Sequence, residues 1–142
     1  IITQTNELIG ALNLARSEAI KRGVRVVICR TAGADCATDA TGIWEKGWMI
    51  YADNNRNGAR DASEPILRAG QQAGGKITIR TGGAFTRWIA YQPGGFSVGN
   101  THLGNGTFRI CDSRGVDQAR FVAINTAGRA RIREKRAGDA CP

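Results

Sequence analysis

The chain has 142 residues, of which 20 are basic and 12 are acidic, giving a formal net charge of +8. This length suits a single domain over residues 1–142, and a hydrophobic content of 42% excludes disorder on composition alone. The positive charge favours polyanionic partners such as nucleic acid, anionic lipid or acidic polysaccharide, although an ordinary basic surface is an alternative. No transmembrane run and no signal peptide is recognisable, and the chain begins without Met, as a mature or truncated product would.

The first element predicted from the sequence is a helix over residues 5–22. Its apolar positions recur with the helical period and form one stripe, made of Leu8, Leu12, Ala15 and Ala19. Lys21 and Arg22 suit the negative end of a helix, and Gly23 is a typical terminating residue. We therefore expect residues 1–23 to be a helical segment whose stripe packs on the remainder of the domain.

After Gly23 the hydrophobic period changes from helical to alternating, which is typical of strands. Seven segments have this character: residues 24–30, 42–53, 76–81, 86–92, 107–112, 119–125 and 128–134. Turn-forming segments rich in Gly, Asn and Thr separate them. The predicted fold class is α+β, with one N-terminal helix packed on antiparallel β-sheet and a β-rich head over residues 24–142.

Four cysteines, at positions 29, 36, 111 and 141, do not have the spacing of a zinc site. Six residues separate the first two and 29 separate the last two, whereas zinc knuckles place paired cysteines two to four residues apart. Local pairing predicts two disulfides, Cys29–Cys36 and Cys111–Cys141, and hence an oxidising compartment. Four reduced, buried thiols are the alternative.

No group of residues predicts an enzyme. His102, the single histidine, lies in a loop that is more typical of a solvated side chain than of a catalytic one. The cysteines are assigned to disulfides, and no nucleophile, zinc-protease or phosphate-loop motif is present. We therefore expect no catalytic residues and no cofactor.

Residues 53–64 match the pattern of a calcium-binding loop, with oxygen-bearing side chains at Asp53, Asn55, Asn57, Asp61 and Glu64. The segment before it is strand-like, however, and Arg56 and Arg60 would repel a cation. Asp, Asn and Gly also favour tight connecting loops. We expect a structural loop and no strong metal site.

The strongest functional signal is the segment from Arg129 to Arg136, which holds five basic residues and one acid. On a strand, alternation would place Arg129, Arg131 and Arg133 on one face and turn Ile132 inward. Lys135 and Arg136 extend the row. Because the arginine fork suits phosphate oxygens, we expect an anion site more than a solvated charged edge.

Three segments resemble the GspH/FimT family of pilins. They are NELIGALNLARSEAIKRG followed by VRVVICR, the segment GWMIYADNNRNGARDASEPIL, and Gly128-Arg129-Ala130-Arg131, which matches the G-R-x-R motif of the FimT branch. The resemblance covers essentially the whole chain. It implies a type IV pilin-like fold in which 1–23 is the C-terminal half of the pilin helix, and the apolar half-helix and processing site would precede this sequence. It also implies a recurrent turn at D-x-N-x-N-G, which argues against a calcium site there but leaves that alternative open, because other pseudopilins hold calcium in their heads.

The resemblance further implies a minor pilin of a type IV pilus that binds DNA non-specifically and supports DNA uptake in natural transformation. The motif assigns DNA binding to Arg129 and Arg131, while Arg133, Lys135 and Arg136 follow from periodicity and proximity. The implied partners are DNA, other major and minor pilins, and the inner membrane through the missing helix. The implied location is the inner membrane before assembly and then the pilus, across the periplasm or outside the cell. The alternative is a structural minor pilin, or a type II secretion pseudopilin, that primes filament assembly without binding DNA.

Overall fold

A computed structural model describes seven parts of the chain. These are residues 1–32, 35–37, 43–54, 64–70, 76–81, 85–99 and 104–141. Predictions about His102 and about most of the loop at 53–64 lie outside them.

The helix α1 (Ile2–Arg22) begins three residues earlier than predicted and ends where the sequence predicts. Thr5 is inside the helix, where its hydroxyl donates to the carbonyl of Ile1 at 2.7 Å. At the other end Gly23 is left-handed, with φ 66°, and its N–H donates to the carbonyl of Ala19. This conformation closes the helix at a position where glycine has no steric cost.

The described residues form ten strands, all antiparallel to their neighbours. In chain order they are β1 (Val26–Ala32), β2 (Asp35–Cys36), β3 (Trp48–Ala52), β4 (Ile66–Ala69), β5 (Thr78–Thr81), β6 (Trp88–Tyr91), β7 (Ser97–Gly99), β8 (Gly106–Cys111), β9 (Arg120–Ile124) and β10 (Ala130–Arg133). The first sheet has the order β4-β3-β1-β6-β7, with β2 added to β1. The second has the order β10-β9-β8-β5, so β10 is an edge strand.

The helix packs on both sheets and contacts β1, β3, β6, β9 and β10. Its predicted stripe is buried, with Leu8, Leu12, Ala15 and Ala19 at most 1% exposed. Aromatic side chains continue this core between the sheets, where Trp44 meets the ring of Phe108 edge-on at a centroid distance of 5.0 Å. The predicted α+β class, a helix packed on antiparallel sheet, is therefore confirmed.

Both predicted disulfides are present, Cys29–Cys36 and Cys111–Cys141, and no free cysteine remains. Cys29 and Cys111 lie on the faces of the two sheets that are turned away from the helix, each within a small apolar cluster. The second disulfide joins the end of β8 to the C-terminal tail and therefore fixes residues 134–141 beside the second sheet.

Candidate nucleic-acid interface

The arginine-rich segment begins at a tight hairpin between β9 and β10. The N–H of Gly128 donates to the carbonyl of Asn125, and the N–H of Arg129 donates to the side-chain Oδ1 of Asn125. Gly128 has φ +88°, and a Cβ there would overlap the carbonyl oxygen of Gly95 and touch the ring of Tyr91. The first residue of the G-R-x-R motif is thus glycine for a conformational and a steric reason.

On β10 the arginines and the apolar residues alternate between two faces. Ile132 pairs with the buried Val122 and so shares the helix-facing side, whereas Arg131 and Arg133 pair with Ala123 and Phe121. The two arginines therefore occupy the outer face of the sheet. The prediction that Ile132 faces away from the arginines, towards the core side, is confirmed, but the residue is not buried, because it is 56% exposed. It lies on an edge strand, which has a neighbouring strand on only one side.

Arg131, Arg133 and Arg136 line one open groove of about 390 Å³ on this outer face. Polar residues of the neighbouring strands and turns complete its lining, namely Asn105, Thr107, Asn125 and Thr126. Three guanidinium-bearing residues and several neutral hydrogen-bonding groups thus surround one concavity. Such a combination suits a phosphate group, whose oxygens accept hydrogen bonds and carry negative charge.

Arg133 already has an internal partner. Its two terminal nitrogens donate to the two carboxylate oxygens of Asp139 at 3.0 and 3.2 Å, and its guanidinium lies 4.7 Å from the ring centre of Phe121. The side chain is only 10% exposed. Arg133 therefore contributes less available charge to the groove than its position in the sequence indicates, and it stabilises the tail.

The rest of the tail is held by three further contacts. The N–H of Arg136 donates to Asp139 at 2.6 Å, a guanidinium nitrogen of Arg109 donates to the carbonyl of Ala140 at 2.9 Å, and Lys135 pairs with Asp117 at 2.6 Å. Hydrogen bonds from Arg133 and Arg136 lower the pKa of Asp139 below its ordinary value, with Arg133 the larger cause. Its carboxylate thus stays charged and fastens the tail beside the groove.

Three side chains of the basic segment remain available to a ligand. Arg129, Arg131 and Arg136 are exposed, and within the described parts of the chain their guanidinium groups have no hydrogen-bond or ion-pair partner. Each retains the full set of five donors of a free arginine. Lys135 is half-exposed, and its partner Asp117 is itself at the surface, so that ion pair is weak and exchangeable.

The helix fixes the position of the hairpin. Nε of Arg16 donates to the carbonyl of Ala127 in the hairpin at 3.3 Å and to that of Gly95 at 3.1 Å. One side chain of α1 therefore connects two turns that are remote in sequence, and the groove is built on a rigid support rather than on a free loop.

A family model described as type II transport protein GspH matches residues 4–128. The chain belongs to this family. The GspH family comprises structural, non-enzymatic minor pilins and pseudopilins of type IV pili or type II secretion systems. Membership places the protein in the cell envelope or its pilus and implies assembly with other pilins. In the described residues no helix is long and apolar enough to cross a membrane.

Solved structures show the same fold. Two crystal structures of the Pseudomonas aeruginosa type IV minor pilin FimU, in different crystal forms, match with TM-scores of 0.70 and 0.68. The sequence identities are 21% and 22%; the matches cover 99% and 96% of this chain and 97% and 88% of the FimU chains. No curated protein matches the sequence significantly.

The match to the GspH family model ends at Gly128, immediately before Arg129. Arg129, Arg131 and Arg136 therefore lie beyond the residues that match the family model. The groove residues Asn105, just before β8, and Thr107, within β8, were missed by sequence reasoning, because only the pairing of β8 and β10 with β9 brings them to the same groove. No local signal in the sequence marks them.

The loop considered for calcium is described only at its ends. Asp53 is fully buried, and Nε of Arg25 lies 3.4 Å from its Oδ2. Residues 55–63 lie outside the described part of the chain, as does His102. In the described residues no group of three or more acidic, His or Cys side chains has the arrangement of a metal site.

Proposed function

We propose that this GspH-family protein is a minor pilin of a type IV pilus that binds DNA non-specifically through the groove and hairpin of β9 and β10. The observation that carries the proposal is the set of three exposed arginines, Arg129, Arg131 and Arg136, whose guanidinium groups have no partner in the described residues. Arginine binds phosphate oxygens through a planar fork, and a sequence-independent ligand needs only phosphate contacts.

The G-R-x-R motif at residues 128–131 supports the biological setting. In the family that the sequence resembles, this motif belongs to pilins of transformation pili, so we place the protein at the surface or tip of a pilus. Retraction would then draw bound DNA inward during natural transformation. Assembly from a membrane-anchored precursor follows the same resemblance.

The ion pairs of the basic segment reduce the number of side chains that are available for phosphate contacts. Five basic residues lie between positions 129 and 136, but Arg133 and Lys135 have acidic partners, which leaves three. Three contacts give a slope of about −2.7 for log K against log salt on duplex DNA. Affinity of the isolated head should be weak, about micromolar or poorer at physiological salt, and several subunits in one pilus would raise it through avidity.

The test is a salt series of DNA titrations on the wild type, Arg131→Ala, and the double variant Arg129→Ala/Arg131→Ala. Arg131→Ala should weaken all DNA sequences alike and flatten the salt slope by about 0.9. Arg120→Ala is the matched control, because it removes the same charge from an exposed residue at the opposite end of β9. Circular dichroism checks that each variant folds.

An unchanged DNA affinity in a well-folded Arg129→Ala/Arg131→Ala variant would contradict the proposal. The remaining reading would then be a structural minor pilin, or a secretion pseudopilin, that acts only in filament assembly. An equal loss in Arg120→Ala would show that overall charge, and not this groove, determines binding.

A further inference from the structure

An exposed aromatic side chain lies in the turn between β6 and β7. Phe96 is 60% exposed, and it is the one aromatic among the exposed large hydrophobic residues of the described chain. Its carbonyl accepts the N–H of Gln92, and the N–H of Gly95 donates back to Gln92, so the turn is closed. A Cβ at Gly94 would come 3.3 Å from two ring carbons of Phe96, which shows that the ring lies against Gly94.

This turn is fastened directly to the hairpin that carries the arginines. The hydroxyl of Ser97 donates to the carbonyl of Asn125 at 3.0 Å, and its N–H donates to the carbonyl of Thr126 at 3.4 Å. On the other side of Phe96, the carbonyl of Gly95 lies against Gly128. Both chain neighbours of Phe96 therefore touch residues 125–128, so the turn that carries Phe96 is fastened to the hairpin that leads into Arg129.

Arg16 makes this arrangement rigid. The same guanidinium Nε donates to Gly95 in the aromatic turn and to Ala127 in the hairpin. The backbones of the aromatic turn and of the hairpin are thus held together before any ligand binds, which lowers the ordering cost of binding.

We propose that Phe96 is a stacking platform for an unpaired base, and that the site consequently prefers single-stranded over duplex DNA. The inference rests on the proposed function, since the arginines supply the phosphate contacts on which it builds. Proteins that bind single strands combine basic side chains along the phosphate backbone with aromatic side chains on which the bases stack. A duplex keeps its bases stacked on each other and offers no free face to the ring.

The test compares a single-stranded oligothymidylate with a duplex of the same length, at one salt concentration. Phe96→Ala should weaken single-strand binding about 5-fold or more and change duplex binding less than about 2-fold, since one stacked base contributes roughly that factor or more. Phe96→Tyr should retain the single-strand affinity, whereas Phe96→Leu, which is apolar but not aromatic, should lose it. Ile132→Ala is the matched control, because it removes an exposed apolar side chain from β10 itself.

The outcomes separate this inference from the proposed function. If Arg129→Ala/Arg131→Ala loses both ligands and every Phe96 variant binds single strands like the wild type, the stacking inference is wrong and the proposed function stands. Phe96 would then be an apolar contact to a neighbouring subunit. If the arginine variant keeps its affinity, the proposed function fails instead. Retention of single-strand affinity by Phe96→Leu would also overturn stacking.

Discussion

Replacing Gly128 by alanine tests the reason for glycine at the start of the G-R-x-R motif. Gly128 and Gly115 have the same φ of +88°, but only Gly128 is crowded: a Cβ there meets Gly95 and Tyr91, while a Cβ at Gly115 meets nothing within 4 Å. The left-handed conformation alone costs alanine about 1–2 kcal/mol. Forcing an extra carbon into a packed site adds about 1–3 kcal/mol. Gly128→Ala should therefore lower the free energy of unfolding by about 2–5 kcal/mol, and Gly115→Ala by about 1–2 kcal/mol.

Urea denaturation followed by circular dichroism measures both variants. The midpoint for Gly128→Ala should fall further than that for Gly115→Ala, with the slope unchanged. Equal losses in the two variants would refute the steric argument, because they would leave only the shared conformational term. DNA affinity should fall only in Gly128→Ala, since the displaced hairpin carries Arg129 and Arg131.

The remaining predictions concern the support of the groove. Arg16→Gln should destabilise the fold by about 1–3 kcal/mol in the same urea assay, because two carbonyl oxygens lose their donor. A loss no larger than that of the exposed Arg22→Gln would show that the hydrogen bonds of Arg16 do not stabilise the fold. Asp139 has a lower pKa in the folded protein than in the unfolded chain, where it is about 3.9. Its stabilisation of the tail should therefore be fully present above about pH 3.9 and should be lost as the pH falls through the pKa of the folded state. The NMR signal of the Arg136 backbone N–H, which donates to Asp139, should shift over that acidic range in the wild type and should shift much less in Asp139→Asn. Loop-closure entropy predicts that removing Cys111–Cys141, with a separation of 30, costs about 3.6 kcal/mol. Removing Cys29–Cys36, with a separation of 7, should cost about 2.4 kcal/mol. Paired Cys→Ala variants test this order, and a reversed order would show that packing, not chain entropy, decides it.

Local patterns in the sequence predict most of the secondary structure. The apolar stripe of the helix identifies Leu8 and Leu12 as core residues, and each of the seven strand-like segments contains a strand. Three strands, β2, β4 and β7, lie outside these segments. β2 and β7 have too few residues to show a period, and β4 shows no alternation of burial, so periodicity does not reveal them. Helix termini are also poorly defined by pattern, which is why α1 begins three residues before the predicted start at residue 5.

Much less of the candidate site follows from the sequence. Alternation correctly places Arg131 and Ile132 on opposite faces of β10. It cannot show that β10 is an edge strand, which is why Ile132 is exposed. It also cannot show that Arg133 has an ion-pair partner, because Asp139 reaches it only after the tail turns back. Likewise, the turn that carries Phe96 meets the hairpin before Arg129 only because two turns from different sheets are hydrogen-bonded together. These are tertiary contacts, for which no sequence period exists.

The range of residues that match the family model shows which features of the structure family membership can account for. Residues 4–128 match the GspH model and contain most of the helix, Arg16 with its two carbonyl acceptors, and the turn that carries Phe96. Arg129, Arg131 and Arg136 lie beyond residue 128. The matched residues thus supply the support, while the charge that would hold a phosphate comes from the β9–β10 hairpin, which carries Arg129 and Arg131, and from the tail, which carries Arg136 and is fastened by Asp139 and by the disulfide at Cys141. A GspH-family head with the same support but without basic residues at these three positions should assemble as a pilin and bind DNA poorly, so DNA binding must be argued from these residues and not from family membership.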